Sequence, residues 1–167
     1  MAQNPIRILG VDPGLSATGW GVIEAAGSRL VYRACGSIVS GADMALAKRL
    51  ALIHRELTDL IAEHAPDEGA IEETFVNRDP RSALKLGQAR GVAIAALALA
   101  GLNVAEYAAN LVKKTVVGVG HAEKAQVQMM VKMLLPSSGA KTADAADALA
   151  VAVCHAQHRA ARLRGAA

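Results

Sequence analysis

Aromatic residues are scarce in this chain. Phe, Trp and Tyr make up 2% of its 167 residues, so any ring in a polar segment stands out. Cysteine is nearly absent as well. Cys35 and Cys154 lie far apart and form no CxxC, which excludes a disulfide scaffold and a cysteine-built zinc site and points to a reducing cytoplasm. The opening MAQNPIR has no charged-then-apolar leader pattern. The longest apolar run, Gly91 to Leu102, is too short for a bilayer. A soluble, cytoplasmic protein without membrane association is the expectation. Neither sign of charge dominates: the formal net charge is +3, which by itself names no partner.

What the chain does have is small and medium aliphatic residues. Apolar content is 53%, mostly Ala, Val, Leu and Ile, enough for one domain over residues 1–167 with a tight core and closely spaced helices. Only the last residues, Leu163 to Ala167, read as a loose tail.

Ile8-Leu9-Gly10-Val11 is a short continuous apolar run that stops at the turn signal Asp12-Pro13-Gly14. It reads as a central strand buried on both faces. Gly19 to Ile23 and Leu30 to Val39 read as two more strands, linked through Ala25 to Ser28, so the first three form an antiparallel meander. From Asp43 to Ala65 the period changes. Leu46, Leu50, Ile53, Leu57, Leu60 and Ile61 share one helix face, and Pro66 ends it. Gly69 to Glu72 is a brief fourth strand, followed by the polar loop Thr74 to Pro80. A helix from Arg81 to Ala100, a fifth strand at Asn103 to Ala105, and helices over Ala108–Val116 and Ala122–Leu134 follow. Pro136 to Gly139 breaks the chain before a last helix. The order predicts an α/β fold: a five-stranded mixed sheet, three strands antiparallel and two then parallel to the first, flanked by helices.

The last helix poses the functional question. In "TADAADALAVAV", Thr142 to Val153, Asp144 and Asp147 are the only charged residues. Carboxylates do not sit on a packed face without compensation. One reading is that they favour a helix N-terminus, through capping or the macrodipole. The other brings them to Asp12 and Glu72, which end two strands expected to be parallel neighbours roughly 4.8 Å apart. Asp12 before Pro-Gly is also an ordinary turn residue, and Glu73 competes with Glu72 unless strand alternation points Asp12 and Glu72 the same way. Like charges 4 Å apart cost about 4 kcal/mol at an effective dielectric near 20. A four-acid cluster therefore needs protons or hard divalent cations, Mg²⁺ or Mn²⁺. Two such ions about 4 Å apart would suit phosphodiester hydrolysis.

Four blocks carry a resemblance: "GVDPGLSATGWGVI", "AIEETFVNRDPRSALKLGQARGVAI", "VKKTVVGVGHAEKAQVQ" and "ADAADALAVA". Together, from about Ile8 to Cys154, they resemble the RuvC family of bacterial Holliday junction resolvases. The resemblance implies a ribonuclease H-like fold and a homodimeric, Mg²⁺-dependent endonuclease. Such an enzyme makes symmetric nicks in opposing strands of four-way junction DNA and works with the RuvA–RuvB branch-migration complex. It places Asp12, Glu72, Asp144 and Asp147 as catalytic metal ligands, two Mg²⁺ per site with Mn²⁺ as substitute, and so selects Glu72 over Glu73. Lys114 and His121 depart from the common pattern, outside the four acids.

The resemblance also implies that Phe75, the only phenylalanine, stacks on a base near the branch point; without it, such a residue reads more readily as a loop anchor folded back onto the core. Lys113 and Lys124 match basic positions important for cleavage, where a cation contacts phosphate or stabilises transition-state charge. Arg78, Arg81, Lys85 and Lys114 are further DNA-facing candidates, and Arg90, Lys132, Lys141, Arg159, Arg162 and Arg164 weaker ones. Ala83, Gly87, Gly91 and Ala95 recur every four residues. That stripe fits either a neighbouring helix of the same subunit or a dimer seam. His155 shares the stripe of Asp147 and reads as a packed or surface histidine. Two rivals remain: another nuclease of the same fold acting on RNA, and a junction binder without catalysis. The second gains nothing from four acids beside phosphates.

Overall fold

The structure, a computed structural model, describes residues 4–73 and 79–165. Strands β1 (Ile6–Asp12), β2 (Ala17–Ala26) and β3 (Arg29–Val39) form the meander. Helix α1 (Leu46–His64) leads to β4 (Glu68–Glu73), and α2 (Pro80–Leu99) to β5 (Asn103–Ala108). Helices α3 (Ala109–Val117), α4 (Lys124–Leu134) and α5 (Ala143–Gly165) complete the described chain. The sheet order is β3-β2-β1-β4-β5, with β4 parallel to β1 and β5 parallel to β4. This is the expected mixed sheet.

Alternation along the central strands sorts the core into two layers. Leu9, Val11, Val22 and Ile71 pack under α1 and α2 with Ile53, Leu57, Ala93 and Leu97. Ile8, Ile23, Ala70 and Ala105 face α3, α4 and α5. Because both faces are covered, β1 and β4 read as continuous apolar runs, without the polar alternation of a half-exposed strand.

Element edges differ from the expectation by a few residues. Helix α1 starts at Leu46 because Gly41 to Met44 close a turn, Met44 N–H donating to the Gly41 carbonyl at 3.2 Å. It stops at Ala65, whose φ of 44° is left-handed, one residue before Pro66. Helix α4 starts at Lys124, where Glu123 and Gln126 form a reciprocal capping box. Helix α5 continues through Gly165, past Leu163, where the expected loose tail begins. Among the described residues no helix is long and apolar enough to cross a membrane.

The alanine-rich α5 lies unusually close to the sheet, and two glycines make that possible. A Cβ on Gly10 of β1 would stand 2.3 Å from the Ala148 carbonyl oxygen, and one on Gly19 of β2 would stand 2.0 Å from that of Asp144. Gly19 pairs with Asp12 across the β1–β2 ladder. The first turn of α5 therefore rests on bare backbone beside the end of β1, where any side chain would hold it off.

Candidate active site

Parallel pairing of Val11 with Ile71 puts the next residues, Asp12 and Glu72, side by side at the C-terminal end of the sheet. Val11 and Ile71 face α1 and α2, so by alternation Asp12 and Glu72 face α5 and Glu73 faces the other way. The two carboxyl groups lie within reach of each other, an approach that is favourable only with a proton or a cation between them.

On α5, the capping explanation for the aspartates is taken up by another residue. Thr142 Oγ1 accepts from Ala145 N–H at 3.2 Å, and the Thr142 carbonyl accepts from Ala146 N–H. With the first turn satisfied in this way, Asp144 and Asp147 are left to project toward Asp12, whose charge state feels both. Lys124, at the start of α4, reaches Asp147 from outside, with Nζ 3.7 Å from Oδ2 and its own side chain 75% exposed. Lys113, partly buried on α3, acts on both Glu72 and Asp147.

The electrostatics follow from this crowding. Burial pushes the Asp12 carboxyl up to about 8, and Glu72, Asp147 and Asp144 add to the rise. Glu72 is raised, chiefly by burial and also by the Asp147 charge, against the hydrogen bond from Asp12 and the pull of Lys113 and Lys124. Asp147 is raised by burial and by Asp144, with Lys124 and Lys113 opposing.

Among the described residues no three His, Cys, Asp or Glu side chains surround one point closely enough to hold a metal ion. Asp12 and Glu72 face each other, and Asp147 faces Lys124. Lys113 and Lys124 offset part of the repulsion. The donor set still fits a hard divalent cation, being all carboxylate oxygen without sulfur or imidazole. Retention of a proton by Asp12 to about 8 marks a place that favours added positive charge.

The remaining candidates are dispersed. Phe75 and Arg78 lie outside the described residues. Arg81 and Lys85 are exposed on the first turns of α2, where Asp79 caps the helix through the backbone N–H groups of Arg81 and Ser82. Lys114, His121, Lys132 and Lys141 are exposed. Arg159 is engaged elsewhere, paired with Glu68 at the opposite end of β4. His155 is buried there too, between the Tyr107 hydroxyl at 2.9 Å and Glu68 Oε2 at 2.6 Å. The side chains of Arg162 and Arg164 lie outside what the structure describes.

Arg90, a weaker DNA-facing candidate in the sequence, is engaged within the subunit instead. Arg90 of α2 donates from Nε to the Glu72 carbonyl at 3.2 Å and pairs with Glu106 of β5. It pins the end of β4 from the face opposite the acids. No spacing rule links Arg90 to either partner; only the β4–β5 register brings them together.

The family described as "Crossover junction endodeoxyribonuclease RuvC" matches residues 8–155. The crossover junction endodeoxyribonuclease RuvC of Methylocella silvestris is 68% identical over 162 residues, covering 97% of this chain and 92% of that protein. That of Azorhizobium caulinodans is 62% identical over 168 residues, covering 100% and 99%. Thermus thermophilus RuvC, solved in complex with Holliday junction substrate, aligns with a TM-score of 0.86 at 30% identity, covering 95% of this chain and 96% of that one.

Proposed function

The chain belongs to the RuvC family of crossover junction endodeoxyribonucleases, and on that footing we propose how its own residues cut a Holliday junction. The fold is ribonuclease H-like and the protein is a Holliday junction resolving endonuclease. The observation that carries the assignment of residues is the meeting of acids from β1, β4 and α5 at one sheet end, with Lys113 and Lys124 beside them.

In this reading Asp12, Glu72, Asp144 and Asp147 would hold the metal, two Mg²⁺ ions per site with Mn²⁺ able to substitute. The chemistry such ions would supply when bound is an activated water and relief of charge on the leaving oxygen of the phosphodiester. Holding a cation would need Asp12 and Glu72 ionised, against the burial that raises both. Lys124, reaching Asp147 from the solvent side, can swing to a phosphate oxygen at small cost, because an exposed ion pair is weak. Lys113 stays partly buried and holds its charge on the cluster. Phe75 supplies a stacking platform for an unpaired base, worth roughly 1–3 kcal/mol, while Arg78, Arg81, Lys85 and Lys114 track phosphates. RuvA–RuvB association and a cytoplasmic setting complete the proposal.

Cleavage of a synthetic four-way junction against a linear duplex of the same sequence, in Mg²⁺ and in EDTA, tests it directly. Nicks should appear in the junction with Mg²⁺ only. Asp144→Asn should lower the rate by on the order of 10²–10³ while leaving binding near wild type. Unchanged nicking by that variant removes Asp144 from the site, and tight binding without nicks by wild type makes the protein a binder.

Symmetric nicking calls for a second copy, and α2 offers the seam. Its buried face is Ala89, Ala93, Ala96 and Leu97; its outer face carries Leu84, exposed, with Gly87 and Gly91, around which a Cβ would meet nothing within 4 Å. Among the described residues, no helix of the same subunit packs on these two glycines. Gly91→Arg should leave the subunit as stable or more so, since replacing helical glycine gains up to about 1 kcal/mol, but shift the protein to monomer in light scattering. A variant that remains dimeric puts the seam elsewhere.

A further inference from the structure

Arg49 is a buried charge that the cutting chemistry leaves unused. It lies in the first turn of α1 and is 9% exposed. Its Nε donates to Ser40 Oγ at 2.9 Å and its Nη2 to Ser16 Oγ at 3.2 Å. Ser40 Oγ donates onward to the Leu15 carbonyl, and Ser40 N–H donates to the Ser16 carbonyl at 3.1 Å. These partners are neutral. Among the described residues no carboxylate forms an ion pair with Arg49. The nearest acid in sequence, Asp43, is turned to its own loop, where Oδ1 would stand 2.5 Å from a Cβ on Gly41.

A guanidinium taken out of water and matched only by hydroxyls carries a desolvation cost that an opposite charge normally offsets. The location says what that charge is. Ser16 and Leu15 belong to the connection that leaves Asp12, and Ser40 follows the β3 residue paired with Ala17. The group thus sits at the sheet end that holds the acids. Ser16 is exposed. Because its oxygen accepts from Arg49, its own O–H is left to donate outward, polarised by the cation behind it.

We propose that Arg49 and Ser16 form a seat for a backbone phosphate of the DNA strand, one flanking the phosphate being cut. Arg49 supplies charge from within, and Ser16 makes the contact. The seat rests on the proposed function, since it needs a DNA strand at this end of the sheet.

Binding of a labelled four-way junction in EDTA, followed from low to high NaCl, tests it with wild type, Arg49→Gln, Arg49→Lys and Ser16→Ala. Removing the charge that neutralises one phosphate should flatten the slope of log Kd against log salt by about 0.9 in Arg49→Gln, and Arg49→Lys should keep the wild-type slope. Ser16→Ala removes an exposed hydroxyl and one of the two partners of Arg49, so it is compared with wild type at matched thermal stability, and it should weaken binding about 5- to 10-fold. An unchanged slope in a folded Arg49→Gln, or wild-type affinity in Ser16→Ala, overturns the seat and leaves Arg49 a structural bolt. If Arg49→Gln does not fold, Ser16→Ala decides alone. Wild type that binds no junction refutes the functional reading itself, and the seat with it.

Discussion

Asp12→Asn should melt at a higher temperature than wild type in EDTA at pH 8, and it should not cut DNA. Burial, reinforced by Glu72, Asp147 and Asp144, holds the folded Asp12 carboxyl up to about 8, against an ordinary value of 3.8. Between those values the folded protein keeps a proton that the unfolded chain has released. Its stability therefore falls as pH rises through this window, by up to about 1.4 kcal/mol per unit. The contribution is fully present below the ordinary value and gone above about 8. Asparagine carries no such proton, keeps an amide to bond Glu72, and makes the melting temperature flatter with pH. At about 2–4 °C per kcal/mol for a chain of this size, the gap at pH 8 should be plain in a thermal melt. Mg²⁺ should narrow it by raising wild type alone. A variant that melts below wild type at pH 8 in EDTA would show that Asp12 is not a strained carboxyl.

A second large effect should come from a residue with no chemistry. In Gly19→Ala the new methyl would stand 2.0 Å from the Asp144 carbonyl oxygen, a backbone atom that cannot swing aside. The first turn of α5 has to lift by about 1 Å or more, a strain of the kind that costs about 1–3 kcal/mol. Displacement on that scale is enough to lose about 10²-fold in rate when reacting groups are held in place. Lower melting temperature and slower junction cleavage should appear together, with all four acids intact. Wild-type values for both would mean that α5 does not depend on bare backbone at Gly19.

The two glycines also mark where sequence reading stops. Strand ends at Asp12 and Glu72 are visible in the sequence because an apolar run ends on each. That Glu72 and not Glu73 faces Asp12 follows from counting by twos along β4, once the direction of β1 is known. The function of Gly10 and Gly19, by contrast, depends on which strands are neighbours and in what register, and on which helix crosses them. No local pattern encodes that. The aspartates of α5 are ambiguous in the sequence for a similar reason: a first-turn acid serves a helix whether or not it serves a site, and Thr142 as the cap becomes evident only in the backbone. Resemblance alone puts Lys124 near the acids, and its approach to Asp147 depends on how α4 packs on α5. Arg49 is the least legible of all. In the sequence it is one polar residue in an amphipathic helix, next to Leu50, and nothing there says that it faces inward.

The far end of the sheet bears on the near end through length. From Glu68 to Glu72 the strand advances about 13 Å, at about 3.3 Å per residue. From Asp147 to His155 the helix advances about 12 Å, at about 1.5 Å per residue. His155 and Arg159 grip Glu68 at one end of these two members, while Asp147 faces Glu72 at the other. Strand and helix are thus two rails of equal span, cross-tied beyond the chemistry. Sliding α5 along the sheet by a single residue would break the remote tie, so the spacing of the acids is gauged by a joint that never meets the substrate.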